Sequence, residues 1–163
     1  MDKRFSASEI TQMGVQIEKN GRDFYTVLAK SSKSDKVKEV FKFLAKEEER
    51  HIKLFSGILS GFEKYEPSEI YTDEYFAYLK SLSDTYIFTK ENTGKEIAQS
   101  VEDDIEAIDL GIGFEKDSIL FYMEMKNMVW KEGKKIVDQL IEEERSHLRK
   151  LSEIKMGFEM WHD

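Results

Sequence analysis

Apolar residues return at three- and four-residue intervals along most of the chain, the spacing of helices that turn one face to a core. The pattern predicts a first helix from about Ser8 to Lys30, with Ser6 and Glu9 placed as a capping box. After the break KSSKSD, a second helix is expected from Ser34 or Asp35 to about Ser60. Its apolar positions Val37, Val40, Phe41, Leu44, Ala45, Ile52 and Phe55 keep helical register, and Gly61 is read as its stop. A third helix is expected from about Ser100 to Met128 and a fourth from Lys131 to Met160. Short links make each consecutive pair antiparallel. Between the pairs, residues 61–99 are less regular, rich in aromatics, and hold the only proline, Pro67. A connection of that length is rarely structureless inside a compact domain. It is read as a crossover packed along the bundle, with DEYFAYLKSL (Asp73 to Leu82) as a short helix. The expected architecture is all-α: one domain over residues 1–163, made of two antiparallel helical hairpins joined by a long crossover.

Composition narrows the function. The chain has no cysteine, which removes disulfides, thiolate zinc sites, thiol catalysis and iron–sulfur clusters from its chemistry. A formal net charge of −8 opposes binding to nucleic acid. No apolar run approaches the length of a bilayer span and the segment MDKRFSASEI lacks the apolar stretch of a signal peptide. A cytoplasmic protein with neither nucleic-acid nor membrane partners is expected.

Two stretches repeat. IEKNGRDFY (Ile17 to Tyr25) returns 97 residues later as FEKDSILFY (Phe114 to Tyr122). LAKEEERH (Leu44 to His51) returns 96 residues later as LIEEERSH (Leu140 to His147). The chain therefore reads as a duplicated hairpin, with the change in offset absorbed by a loop. Each copy carries a lone glutamate, Glu18 or Glu115, and a Glu-x-x-His, Glu48/His51 or Glu144/His147. Residues three apart share a helix face, and here that face is the apolar one. A glutamate buried there costs several kcal/mol unless something neutralises it. Four such carboxylates and two imidazoles meeting mid-bundle would be neutralised by two divalent cations. Hard oxygen plus imidazole suits iron or manganese, with zinc able to intrude.

Glutamates on two helices with Glu-x-x-His on two others is the ligand pattern of ferritin-like di-iron carboxylate proteins. Within that class the chain resembles the rubrerythrin branch, through IEKNGRDFY, EEERH, FEKDSILFY and EEERSH, over roughly Ser8 to Met156. The resemblance implies a ferritin-like four-helix bundle with two iron ions. It implies that Glu48 and Glu144 bridge them, that Glu18 and Glu115 are terminal ligands, and that His51 and His147 complete the set. It also implies oxidoreductase chemistry on peroxide or dioxygen. Two departures stand out. Many rubrerythrins carry a cysteine-ligated rubredoxin domain; with no cysteine here, electrons must come from another redox protein. Many also carry a further glutamate three residues from the lone Glu of the third helix, where this chain has Ile112 and Ser118. That departure leaves metal binding intact and bears on turnover.

Other readings stay open. The same ligands would serve a non-catalytic iron-handling protein, and a bundle that had lost its metal would serve as a protein-binding scaffold. Tyr25 and Tyr122, two turns beyond the lone glutamates, are read either as core tyrosines or as donors that orient a carboxylate. Gly21 and Ser118 either allow close packing or leave room for an exogenous ligand. Glu47 and Glu143 rotate off the ligand face and are expected to meet solvent, as is the run VEDDIEAID (Val101 to Asp109). His162 is left out of the site. The aromatic crossover is expected to pack across a homodimer two-fold.

Overall fold

The computed structural model describes residues 7–62, 72–84 and 93–160. Six α-helices occupy them: α1 (Ala7–Ser31), α2 (Asp35–Phe62), α3 (Asp73–Asp84), α4 (Gly94–Ser100), α5 (Asp104–Met125) and α6 (Lys131–Glu159), with a 3-10 turn at Lys126–Met128. No strand occurs among the described residues, and no helix there is long and apolar enough to cross a membrane. The four long helices stand at the expected places. α1 packs along α2 and α5 along α6; α1 also meets α5, and α2 meets α6. The result is an all-α bundle of two antiparallel hairpins.

The buried stripes are those of the sequence pattern. Ile10, Phe24 and Leu28 of α1, Phe41, Leu44 and Phe55 of α2, Phe114 and Phe121 of α5, and Leu140 and Leu151 of α6 are buried in one core, where Phe114 meets Tyr25 of α1 and Phe55 meets Tyr122 of α5. Fully burying side chains of this size contributes about 1.5–3 kcal/mol each. That gain offsets the cost of a polar centre in the same interior.

Three local expectations change. Gly61 does not stop α2; it lies inside the helix, and a Cβ there would sit 2.0 Å from the Trp130 ring. The residue is small because the indole of the other hairpin passes over it. The crossover holds a second short helix, α4, which periodicity did not reveal because it spans only Gly94–Ser100. Thr93 and Glu96 cap it reciprocally. Its Gly94 N–H donates to Asn20 Oδ1 at 3.2 Å, so close to α1 that a Cβ would lie 1.9 Å from the Asn20 carbonyl oxygen. Finally, the acidic run at 101–109 is more than a solvated face. Asp103 caps α5 by accepting the Glu106 N–H at 2.8 Å. Asp104 accepts the Lys33 and Ser34 N–H groups at 3.0 and 2.8 Å, stitching the α1–α2 turn to the start of α5.

From the crossover, Tyr75 and Tyr78 of α3 donate their hydroxyls to Glu124 of α5 at 2.8 and 3.3 Å. Ser6, with its capping box, and the crossover aromatics Tyr65, Tyr71, Tyr86 and Phe88 lie outside the described residues, as does His162.

Candidate metal centre

Glu18 projects from α1, Glu48 and His51 from α2, Glu115 from α5, and Glu144 and His147 from α6. Five of the six are fully buried and His147 is 2% exposed. Their donor atoms fall into two groups, each within 4.8 Å: Glu18, Glu48, His51 and Glu144; and Glu48, Glu115, Glu144 and His147. Glu48 and Glu144 belong to both. Each hairpin supplies three donors to one group and one to the other.

Both imidazoles turn Nδ1 inward. His51 Nδ1 lies 2.9 Å from Glu144 Oε1 and 3.2 Å from Glu18 Oε2. His147 Nδ1 lies 3.1 Å from Glu144 Oε2, 3.7 Å from Glu115 Oε2 and 3.8 Å from Glu48 Oε1. The two rings stack at 5.6 Å with 17° between their planes.

The tyrosines orient the lone glutamates across the hairpins. Tyr25 of α1 donates to Glu115 Oε1 at 2.6 Å, and Tyr122 of α5 donates to Glu18 Oε1. Burial, reinforced by neighbouring carboxylate charge, raises both phenols well above their ordinary range, so they stay protonated and act as donors. Gly21 serves packing: a Cβ there would lie 2.4 Å from the Phe114 ring. Ser118 is fully buried, and its Oγ has no hydrogen-bond partner among the described residues.

Without a cation, the cluster must share protons. Burial and the charges of Glu18 and Glu144 raise Glu48 well above the usual carboxylate range. Burial and Glu144 do the same to Glu115. Glu144 goes the other way: burial disfavours its charge, but the neighbouring Glu115, His147 and His51 outweigh burial and hold it ionised. Burial pulls both imidazoles down, yet surrounding glutamates prevail; His51 is held far above its ordinary range and His147 is pushed up to about 10. Even so, both oxygens of Glu48 and Oε2 of Glu115 have no hydrogen-bond partner among the described residues. Buried carboxylate oxygens in that state are rare without an ion or water to meet them. Orphaned oxygens, inward-facing Nδ1 atoms and an oxygen–imidazole donor set together fit divalent cations.

Glu47 and Glu143 depart from expectation. Neither is simply solvated. Glu143 Oε2 accepts from His51 Nε2 at 2.8 Å and from Arg50 at 2.5 Å, while Arg50 also donates to Glu47 at 2.8 Å. The partner of Glu143 sits on a helix of the other hairpin, so no single-helix projection could find it. The doubled glutamate of each motif was the only signal.

Comparison with known proteins gives the same class. The family model described as rubrerythrin matches residues 9–155. A Thermotoga maritima structure described as a candidate ferritin-like diiron-carboxylate protein is similar at a TM-score of 0.73 and 24% identity, covering 96% of this chain and 98% of that one. A hypothetical protein of Pyrococcus furiosus is similar at a TM-score of 0.72 and 25% identity, covering 96% of this chain and 92% of that one. No curated protein matches the chain.

Proposed function

The chain belongs to the rubrerythrin family, and from that premise we propose that its six buried donors hold two iron ions and that the centre reduces peroxide or dioxygen with electrons from an external redox protein. The observation that carries this reading is the pair of four-donor groups sharing Glu48 and Glu144. Four carboxylates would balance two divalent charges, and Glu48 and Glu144, common to both groups, would serve both ions.

Iron held by these residues would supply two-electron redox chemistry toward an oxidant. The chain's own residues do the rest. Tyr25 and Tyr122 hold Oε1 of Glu115 and of Glu18, leaving Oε2 of each, turned toward an imidazole, as the oxygen that would ligate. The buried walls exclude bulk water and strengthen every electrostatic contact inside. The unpartnered Ser118 hydroxyl offers a donor one turn beyond Glu115.

The test is metal content per chain after anaerobic reconstitution with Fe²⁺. About two ions are expected, falling sharply in Glu48→Ala and Glu144→Ala. Reduced, loaded protein should then consume peroxide at a rate that Glu144→Ala abolishes. Substoichiometric metal insensitive to both substitutions would refute the reading. A second reading, iron binding without turnover, draws on Ser118 standing where many family members carry a further glutamate. Two bound irons with no oxidant-dependent optical change would select it.

A further inference from the structure

We infer that the two metal positions are inequivalent and that Arg50, acting through Glu143, is the positioning residue that makes the His51 position the tighter one. The inference rests on the di-metal reading above, but its observations lie outside the six donors. Those donors obey the internal repeat, as do the carboxylates Glu143 and Glu47 behind the imidazoles; the residues that brace those carboxylates do not.

Behind His51, the Nε2–H donates to Glu143 Oε2 at 2.8 Å. That carboxylate is itself held on both oxygens: Arg50 Nη2 reaches Oε2 at 2.5 Å, and Gln139 Nε2 reaches Oε1 at 2.9 Å. Behind His147, the corresponding oxygen is Glu47 Oε2, 3.9 Å from Nε2. That is too long for a hydrogen bond. The repeat register shows why. At the 96-residue offset, Arg50 corresponds to Ser146 and Gln139 to Phe43. The second copy thus lacks an arginine at that position, its Arg145 pairing instead with Glu142, and the first lacks the supporting amide. In its place the Phe43 ring stands edge-on to His147 at 6.0 Å and 88°.

A carboxylate behind a metal-ligating imidazole fixes the ring's rotation and tautomer, and makes the opposite nitrogen a better donor. His51 has such a carboxylate, braced by a guanidinium and an amide. His147 has an aromatic edge. Arg50 touches neither donor group. It acts by holding Glu143 of α6 and Glu47 of α2 on one guanidinium nitrogen, which keeps Glu143 aimed at the ring.

Titration of metal-free protein with Co²⁺, followed by calorimetry and by the d–d absorption bands, tests this. Wild-type protein should bind in two phases of distinct affinity. Glu143→Gln and Arg50→Met should weaken the tighter phase by about 10- to 100-fold, alter its absorption bands and leave the weaker phase in place. Arg50→Lys should restore part of the loss, since charge remains while the planar fork is gone. Two equal phases in wild-type protein overturn the inference while leaving the di-metal reading standing. So does an equal loss from both phases in Glu143→Gln. Failure of wild-type protein to bind Co²⁺ at a site sensitive to Glu144→Ala removes the reading and the inference together.

Discussion

Glu48 and His147 lie in one cluster, yet the fold alters both in the same direction: each holds a proton more tightly than an isolated side chain would. The consequence for metal-free protein has a definite sign. His147, with a folded pKa of about 10 against an ordinary 6.5, contributes stability that is complete below 6.5 and is lost as pH rises through about 10. Glu48 and Glu115, raised by burial, also favour the folded state in their protonated forms and act in the same sense. Glu144 is held low, so its contribution is lost only in acid. The thermal midpoint of metal-free protein should therefore fall between pH 6 and pH 10. Metal displaces these protons, so the midpoint difference between loaded and metal-free protein should widen over the same range. Melts with and without chelator at several pH values check this; a metal-free midpoint that rises with pH would contradict it. The six residues that the structure gathers mid-bundle were legible at this scale because the repeat doubled every signal. Glu143 was not, because its partner His51 lies 92 residues earlier on another helix.

Along the helices, periodicity reported the buried faces faithfully but misread one punctuation mark. Gly61 looked like a stop and is instead a groove for Trp130, a residue 69 positions later. Propensity is local, whereas the reason for this glycine is tertiary. α4 escaped notice for a related reason: seven residues hold too few turns to show a period, and its place is set by its cap and by contact with Asn20. The glycines of α2 give a paired prediction. Nothing lies within 4 Å of a Cβ at Gly57. Gly57→Ala should stabilise the protein by about 0.5–1 kcal/mol through restored helix propensity. Gly61→Ala, one turn on, should destabilise it by about 1–3 kcal/mol as the Trp130 ring is displaced. Urea denaturation of the two variants decides the matter, and effects of equal sign would refute the assignment of Gly61 to packing.

For the whole molecule, a site built for metal is a burden without it. Glu48 is fully buried with both oxygens unpartnered. Replacing it by a hydrophobe of similar length removes that desolvation cost. Glu48→Met should raise the stability of metal-free protein by about 1 kcal/mol or more, while abolishing the stabilisation that metal gives wild-type protein. That stabilisation is about 2.7 kcal/mol per site at a hundredfold excess over Kd. Calorimetric melts of both proteins, with chelator and with Fe²⁺, test the exchange; a Glu48→Met protein that still gains stability from metal would place the ions elsewhere. The shared carboxylates have one more consequence. Because Glu48 and Glu144 each belong to both donor groups, ions bound there would fasten residue 48 to residue 144 and close a loop of 96 residues. In a disulfide, tying a loop of that length lowers the entropy of the unfolded chain by about 4–5 kcal/mol. A chain with no cysteine would thereby gain, on binding metal, a removable covalent-like staple between its halves.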